Sequence, residues 1–321
     1  MTEPLLAIKD LRTYFISKNK EVRAVDGIDL EVYPRQIVCV VGESGSGKSM
    51  TSLSIMRLVP QPKGKIVSGE VRFNGEDLLQ LSEEQMAKRR GNNISMIFQE
   101  PMTALNPVMT IGRQISEVLL RHQKWSRREA KAKTVEMLQK VGISRAERIV
   151  NEYPHQLSGG MRQRVMIAMA MMCEPKLLIA DEPTTALDVT IQAQVLELMK
   201  KMRDEYDTSI IFITHDLGVV AEMADHVVVM YAGQVVESAS GDQLFHHPSH
   251  PYTKALLESI PSLNDDKEIL FSIPGTVPDA AAFPKGCRFA DRCPTARPSC
   301  TEAMPELREI RPGHLVRCDY A

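Results

Sequence analysis

An excess of charge of either sign is the first thing this sequence lacks: 39 Lys and Arg against 41 Asp and Glu leave a formal net charge of −2, with a pI near 6.5. That balance argues against the broad basic footprint that a nucleic-acid binder presents to phosphate. No apolar run approaches the ~18 residues that a membrane-crossing helix needs. The start, Met1-Thr2-Glu3-Pro4, has no basic stretch, and the next apolar run breaks at Lys9, so no secretion signal is expected there. The six cysteines include no tight C-x2–4-C pair. A length of 321 residues with 43% hydrophobic composition suffices for one large or two modest domains. The expected place for such a chain is the cytosol or the cytosolic face of a membrane.

What is present is a phosphate loop. Gly42-Glu43-Ser44-Gly45-Ser46-Gly47-Lys48-Ser49 fits G-x-x-x-x-G-K-[ST], between an apolar strand, Ile37 to Val41, and a helical stretch, Lys48 to Leu58, as the mechanism requires. Glycines let the backbone wrap a phosphate, the helix start offers unpaired N–H groups, and Lys48 adds a point charge at the β/γ-phosphates. Ser49 is placed to ligate Mg²⁺. Further on, the apolar run Leu177 to Ala180 closes on Asp181-Glu182. Such a strand delivers its carboxylates to the carboxyl edge of a parallel sheet, where these sheets bind ligands. Asp181 is then the expected Mg²⁺ ligand, and Glu182 the group that orients or deprotonates the attacking water. His215 follows another apolar strand, Ser209 to Thr214.

Taken with Leu157-Ser158-Gly159-Gly160-Met161-Arg162-Gln163, with Ala186-Leu187-Asp188 and with Gln99 after Ile94 to Phe98, these segments resemble the motifs of an ABC-transporter nucleotide-binding domain. The resemblance implies an α/β P-loop NTPase fold over residues 1–240, with an inserted helical subdomain at about 100–160, that binds ATP and Mg²⁺. It implies that Lys48 and the loop from Gly42 through Glu43, Ser44, Gly45, Ser46 and Gly47 hold the phosphates, and that Ser49, Gln99 and Asp181 surround Mg²⁺. By the same resemblance Glu182 is the catalytic base, His215 contacts the γ-phosphate and Asp188 communicates across a dimer. Ser158 and Gly160 resemble residues that reach a nucleotide bound by the opposite subunit, and a helix start there suits an anion. Phe15, favoured over Tyr14, matches the aromatic that stacks on adenine.

Elsewhere, Ile28, Leu30 and Val32 alternate as a strand, and Val71 and Phe73 lead into the hairpin signal Asn74-Gly75. Ile111, Ile115, Val118 and Leu119, then Val135, Leu138 and Val141, fall at helical spacing. The charge run Lys124 to Lys133 reads as a solvated helix face, and the Met-rich stretch Met161 to Met172 as adaptable core packing. Cys39 and Cys173 read as small core residues.

Residues 241–321 form a C-terminal extension. His250-Pro251-Tyr252-Thr253, Ile273-Pro274-Gly275-Thr276-Val277-Pro278, Gly286-Cys287-Arg288-Phe289 and Arg292-Cys293-Pro294 resemble the ATPases of oligopeptide and dipeptide importers, a group that includes nickel and glutathione importers, and most of all their D-type subunit. The resemblance implies an ATPase that energises peptide import. A nickel or glutathione importer is the alternative, and a soluble ABC ATPase the less favoured one. It also implies a second ATPase subunit, expected to be a different chain, two transmembrane permeases and an extracellular or periplasmic solute-binding protein, with no nucleic acid. The chain itself is then peripheral on the cytoplasmic face of the membrane.

Cys287, Cys293, Cys300 and Cys318 are spaced C-x5-C-x6-C-x17-C, which matches neither the usual zinc knuckle nor a ferredoxin run. A cytosolic chain disfavours disulfides. The neighbouring Arg288, Arg292, Arg297 and Arg317 are expected to stabilise thiolates. The resemblance adds a [4Fe–4S] cluster on the four cysteines, with Zn²⁺ or free thiols as alternatives. Because the tail shows few core residues, the cluster is expected to staple residues 285–321, so that loosening the tail leaves ATP binding at Lys48 nearly intact.

Overall fold

The computed structural model describes residues 3–18, 20–99, 104–185, 187–259 and 272–321. The chain divides into two compact units, Met1–Tyr33 with Ile37–Leu79 and Ile213–Ala321, and Pro34–Gln36 with Gln80–Phe212.

The strands of the first unit, in chain order, are β1 (Leu6–Ser17), β2 (Lys20–Val32), β3 (Ile37–Val41), β4 (Gly64–Phe73), β5 (Glu76–Asp77), β9 (His226–Tyr231), β10 (Gln234–Ser240), β11 (Arg308–Arg311) and β12 (His314–Val316). Four of them make an antiparallel sheet in the order β2-β1-β4-β5. Ile28, Leu30 and Val32 are buried along β2, as their alternation predicts. Asn74 and Gly75 join β4 to β5 with φ of 48° and 79°, the double left-handed turn that matches the twist of a hairpin. The second sheet of this unit runs β11-β12-β10-β9-β3. Every residue of β3 is buried and its partner β9 is parallel, as expected of a near-continuous apolar strand. The β11–β12 hairpin lies far along the chain from β10, onto which it adds antiparallel.

The second unit carries β6 (Ile94–Ile97), β7 (Leu177–Asp181) and β8 (Ser209–Ile213), with β7 in the middle and parallel to β6. Its helices include Ile111–His122 and Arg127–Lys140. The second of these starts on a reciprocal cap in which Ser126 and Glu129 satisfy each other's backbone N–H. Ile111, Ile115 and Leu119 face inward with Met137, Leu138 and Val141, while Val118 and Val135 are only half-buried. Arg127, Arg128 and Lys131 are exposed, so the charge run is a solvated face. Cys39 and Cys173 are both buried, and burial raises the pKa of each thiol, that of Cys173 to about 11.

Candidate nucleotide-binding site and its C-terminal support

In the first unit the run from Gly42 to Ser49 joins β3 to the helix Lys48–Ile55. The turn requires glycine at 47, where φ is 102° and a Cβ would lie 2.5 Å from the carbonyl oxygen of Ala24. Lys48 is buried, and its ammonium donates to the carbonyls of Gly42 at 2.7 Å and Glu43 at 3.0 Å. The lysine is thereby held over the loop that its own helix begins. Ser46 Oγ is buried there with no hydrogen-bond partner. A spare hydroxyl beside a helix start and a captive ammonium is a donor set that suits phosphate oxygens.

Of the two aromatics on β1, Tyr14 is buried and donates its hydroxyl to Asp26 at 2.5 Å, whereas Phe15 is half-buried. His215 is exposed at the step between Ile213 and the helix Leu217–Met223. That step is pinned on both sides. Thr214 Oγ1 accepts from the Asp216 amide at 3.0 Å, and the Asp216 carboxylate caps the helix through Gly218 at 2.9 Å and Val219 at 3.3 Å.

The second unit holds the other motif residues. Asp181 ends β7 and is buried. Glu182 follows with φ of 47°, a left-handed conformation that costs a non-glycine residue about 1 kcal/mol or more and is found where a side chain must be aimed. Its carboxylate accepts from Gln99 Nε2 at 3.1 Å and Thr185 Oγ1 at 3.0 Å. Gln99 and Glu182, 83 positions apart, are therefore brought together. Ser158 caps the helix Gly159–Met171 by accepting from Met161 N at 3.3 Å, and Asp188 caps Val189–Tyr206 by accepting from Ile191 N at 2.9 Å. The two helix starts meet: a Cβ on Gly160 would lie 2.9 Å from Ile191 Cγ2, so any larger residue would require the Ile191 side chain to shift. Ala186 and the stretch from Glu100 to Thr103 lie outside the described residues, as do 260–271 of the connector.

The extension departs from its sequence reading in three ways. Its aromatics share a core with β9: Phe289 packs edge-on against Tyr231 at 5.2 Å and Tyr252 at 5.3 Å, and Tyr252 meets Tyr231 at 4.6 Å. The arginines, secondly, give their side-chain hydrogen bonds to groups other than the thiols. Arg288 pairs with buried Asp26 on β2, donates to the Ala232 carbonyl and lies 3.8 Å from the centre of the Phe283 ring. Burial works to raise the Asp26 carboxyl, yet the bonds from Tyr14 and Arg288 prevail and hold it below the usual carboxylate range. Arg297 stacks over Tyr320 at 4.0 Å, and Arg317 donates to the Val235 carbonyl at 2.8 Å. Carboxylates and carbonyls are better acceptors for a guanidinium than a neutral thiol is. Accordingly, burial pushes the Cys287 and Cys318 thiols up rather than down.

The cysteines are the third departure. Cys287, Cys293, Cys300 and Cys318 line one cavity with His250 and Phe289. Yet among the described residues no group of three or more His, Cys, Asp or Glu side chains is gathered to hold a metal ion. A tetrahedral zinc needs four donors about 2.3 Å from one point, and the four thiols share the cavity without being gathered in that way.

Two residues missed by sequence reasoning, Glu237 and His314, organise the extension. Glu237 on β10 is fully buried and accepts from His314 Nε2 at 2.7 Å, Ser249 N at 2.8 Å and His250 N at 2.9 Å. His250 in turn caps the helix Pro251–Glu258. The only local signal was an acid following Val235-Val236, inside a strand that otherwise reads as core.

Comparison with known proteins decides the family. The ABC transporter model matches residues 25–185, and the oligopeptide/dipeptide transporter C-terminal region model matches residues 236–300. The chain belongs to the ABC transporter ATPases. Their ATP-binding cassette fold, mixed α/β, is its fold, and ATP hydrolysis is its class of activity. It is 57% identical over 314 residues to the oligopeptide transport ATP-binding protein AppD of Bacillus subtilis, covering 98% of this chain and 96% of that one. It is 53% identical over 314 residues to OppD of the same organism, covering 98% and 88%. Among solved structures, the ATP-binding cassette MJ0796, a dimer in a post-hydrolysis state bound to ADP and Pi, aligns with a TM-score of 0.66 at 27% identity, over 73% of this chain and 98% of that one. No helix among the described residues is long and apolar enough to cross a membrane.

Proposed function

We propose that this chain is the ATP-hydrolysing subunit of a peptide importer, peripheral on the cytoplasmic face of the membrane. It would work with a second ATPase subunit, two transmembrane permeases and a solute-binding protein. The observation that carries this reading is the transporter-type C-terminal region together with 57% identity to an oligopeptide transport ATP-binding protein over nearly the whole chain. The division into a nucleotide-binding domain, 1–240, and an extension, 241–321, belongs to the same proposal.

In this reading the loop around Lys48 holds the triphosphate and Phe15 stacks on the adenine. Glu182 takes a proton from the attacking water, and its hydrogen bonds from Gln99 and Thr185 hold the carboxylate to one orientation before substrate arrives. Ser49, Asp181 and Gln99 would hold Mg²⁺, which would supply positive charge to the β- and γ-phosphates. Gln99 would offer Mg²⁺ its amide oxygen, a task compatible with the Nε2 donation to Glu182. His215, on its pinned step, would contact the γ-phosphate. Ser158 and Gly160 would face the nucleotide of the opposite subunit, and Asp188, capping the neighbouring helix, would report across that dimer.

The four cysteines are proposed to hold a [4Fe–4S] cluster. A shared cavity supports this, since in a cluster each thiolate binds a different iron and the four sulfurs need not converge on one point. About four irons and four acid-labile sulfides per chain, in protein prepared without oxygen, are expected; neither iron nor sulfide would remove the cluster. For the importer itself the test is copurification from solubilised membranes. Two permeases and a peptide-binding protein are expected, whereas ribosomes or DNA would contradict it.

A further inference from the structure

The residue between Asp291 and Cys293 reaches back to the phosphate loop. Arg292 belongs to the extension, but its guanidinium forks onto the Glu43 carboxylate, Nη1 to Oε2 at 2.6 Å and Nη2 to Oε1 at 2.9 Å. Glu43 is the second residue of the phosphate loop and lies 249 positions away. The remaining donors of Arg292 are also used: Nε on the Pro274 carbonyl at 2.8 Å, Nη1 on the Tyr231 hydroxyl at 3.3 Å and Nη2 on the Ile273 carbonyl at 3.3 Å. All five N–H groups of a guanidinium are thus satisfied. The arginine side chain is 5% exposed. A charge this buried is held in one orientation, and it fixes what it holds.

A second residue of the extension grips the same place. The buried Tyr252 hydroxyl accepts from the Glu43 backbone N–H at 2.8 Å. Glu43 is therefore fixed by side chain and main chain at once. Its carbonyl is also one of the two on which the Lys48 ammonium rests, and it accepts from the Ser46 amide at 3.1 Å. The chain of contacts runs Arg292 and Tyr252, Glu43, then Lys48 and Ser46, with every link inside one compact unit.

We propose that Arg292 is a positioning residue for ATP binding, holding Glu43 so that the phosphate loop keeps its open shape with Lys48 in place. It touches no phosphate itself. The inference rests on reading the Lys48 loop as the nucleotide site, and it makes the affinity of that site a property of the extension. Cys293 is the next residue in the chain, so a change at the cysteines is expected to reach the loop through Arg292.

The test is equilibrium binding of a non-hydrolysable ATP analogue with Mg²⁺ to the full chain. Arg292→Met is expected to raise the Kd about tenfold, the scale of losing one charge-assisted forked pair. Arg292→Lys, which keeps the charge without the fork, should lose less. Arg317→Gln serves as the control, since Arg317 ties the extension to Val235 and Pro305 and leaves the loop alone; it should lower thermal stability without changing the Kd. In a Glu43→Gln background the Arg292→Met effect should vanish. An unchanged Kd in Arg292→Met, an equal loss in Arg317→Gln, or a full effect persisting without Glu43 would each overturn the proposal. Lys48→Ala separates the two readings: if it leaves binding intact, the nucleotide site itself is misplaced, and if it abolishes binding while Arg292→Met does nothing, only the positioning role falls.

Discussion

The phosphate loop and the cysteine extension lie in the same compact unit, but they were legible to very different degrees. The loop states its chemistry in eight consecutive residues, and strand, turn and helix followed in the expected order. The extension carries four cysteines and four nearby arginines that invite an equally local reading, and there the local reading failed. Arg288 and Arg292 serve Asp26 and Glu43, which lie 262 and 249 positions away. What the difference teaches is that a motif is readable when its partners are its neighbours in sequence. A buried charge finds its partner by topology, which no spacing rule records.

The sharpest way to break that comparison is at the loop's own chemistry. Glu182→Gln is expected to keep ATP binding but lower turnover 10²–10⁴-fold in the assembled complex, the usual scale for a positioned base. Steady-state phosphate release checks it, and turnover near the wild-type rate would remove Glu182 from its role. The next largest effect is expected in the extension. Arg288→Met leaves the Asp26 carboxylate, which is 5% exposed, with only Tyr14 and Arg12 as partners, and should cost about 2–3 kcal/mol in denaturant unfolding. A loss below 1 kcal/mol would mean that the extension is as independent as its sequence suggested.

A pH titration sharpens the comparison further. Burial pushes His250 down to about 3, against 6.5 for the free side chain, so the folded chain keeps it neutral. Unfolded chains bind its proton below pH 6.5 and folded ones do not, so stability falls as pH drops from 6.5 toward 3. Between pH 6.5 and 5 the loss should be about 2 kcal/mol, and His250→Asn, which retains a capping side chain, should flatten it. A slope unchanged by that substitution would assign the acid sensitivity elsewhere. The smallest expected effect is that of Cys293→Ser on nucleotide affinity, a rise in Kd of about two- to fivefold through Arg292. Sequence reasoning, which treated the extension as a separate staple, expects none.

The distribution of success among single residues follows the same rule. Asp181 ends β7, His215 follows β8, and Lys48 opens the helix after the loop from β3; apolar runs pointed to all three, because a buried strand is written in consecutive residues. The helical subdomain was readable from Ile111, Ile115 and Leu119 for the same reason. The bond from Gln99 to Glu182 was not, since two motif residues assigned to different tasks gave no sign of meeting. Glu237 and His314 were invisible because a fully buried acid looks, in sequence, like an exposed one. The aromatic cluster of Tyr231, Tyr252 and Phe289 draws on three separate segments, so the extension's core was underestimated.

The central claim is that ATP hydrolysis by this chain drives peptide uptake. It is tested most directly by loading proteoliposomes containing the assembled complex with ATP and Mg²⁺ and measuring entry of a labelled oligopeptide presented by the solute-binding protein. The account predicts peptide accumulation that requires ATP and is lost in Glu182→Gln. Uptake of nickel or glutathione with none of peptide, or peptide entry indifferent to ATP, would contradict it.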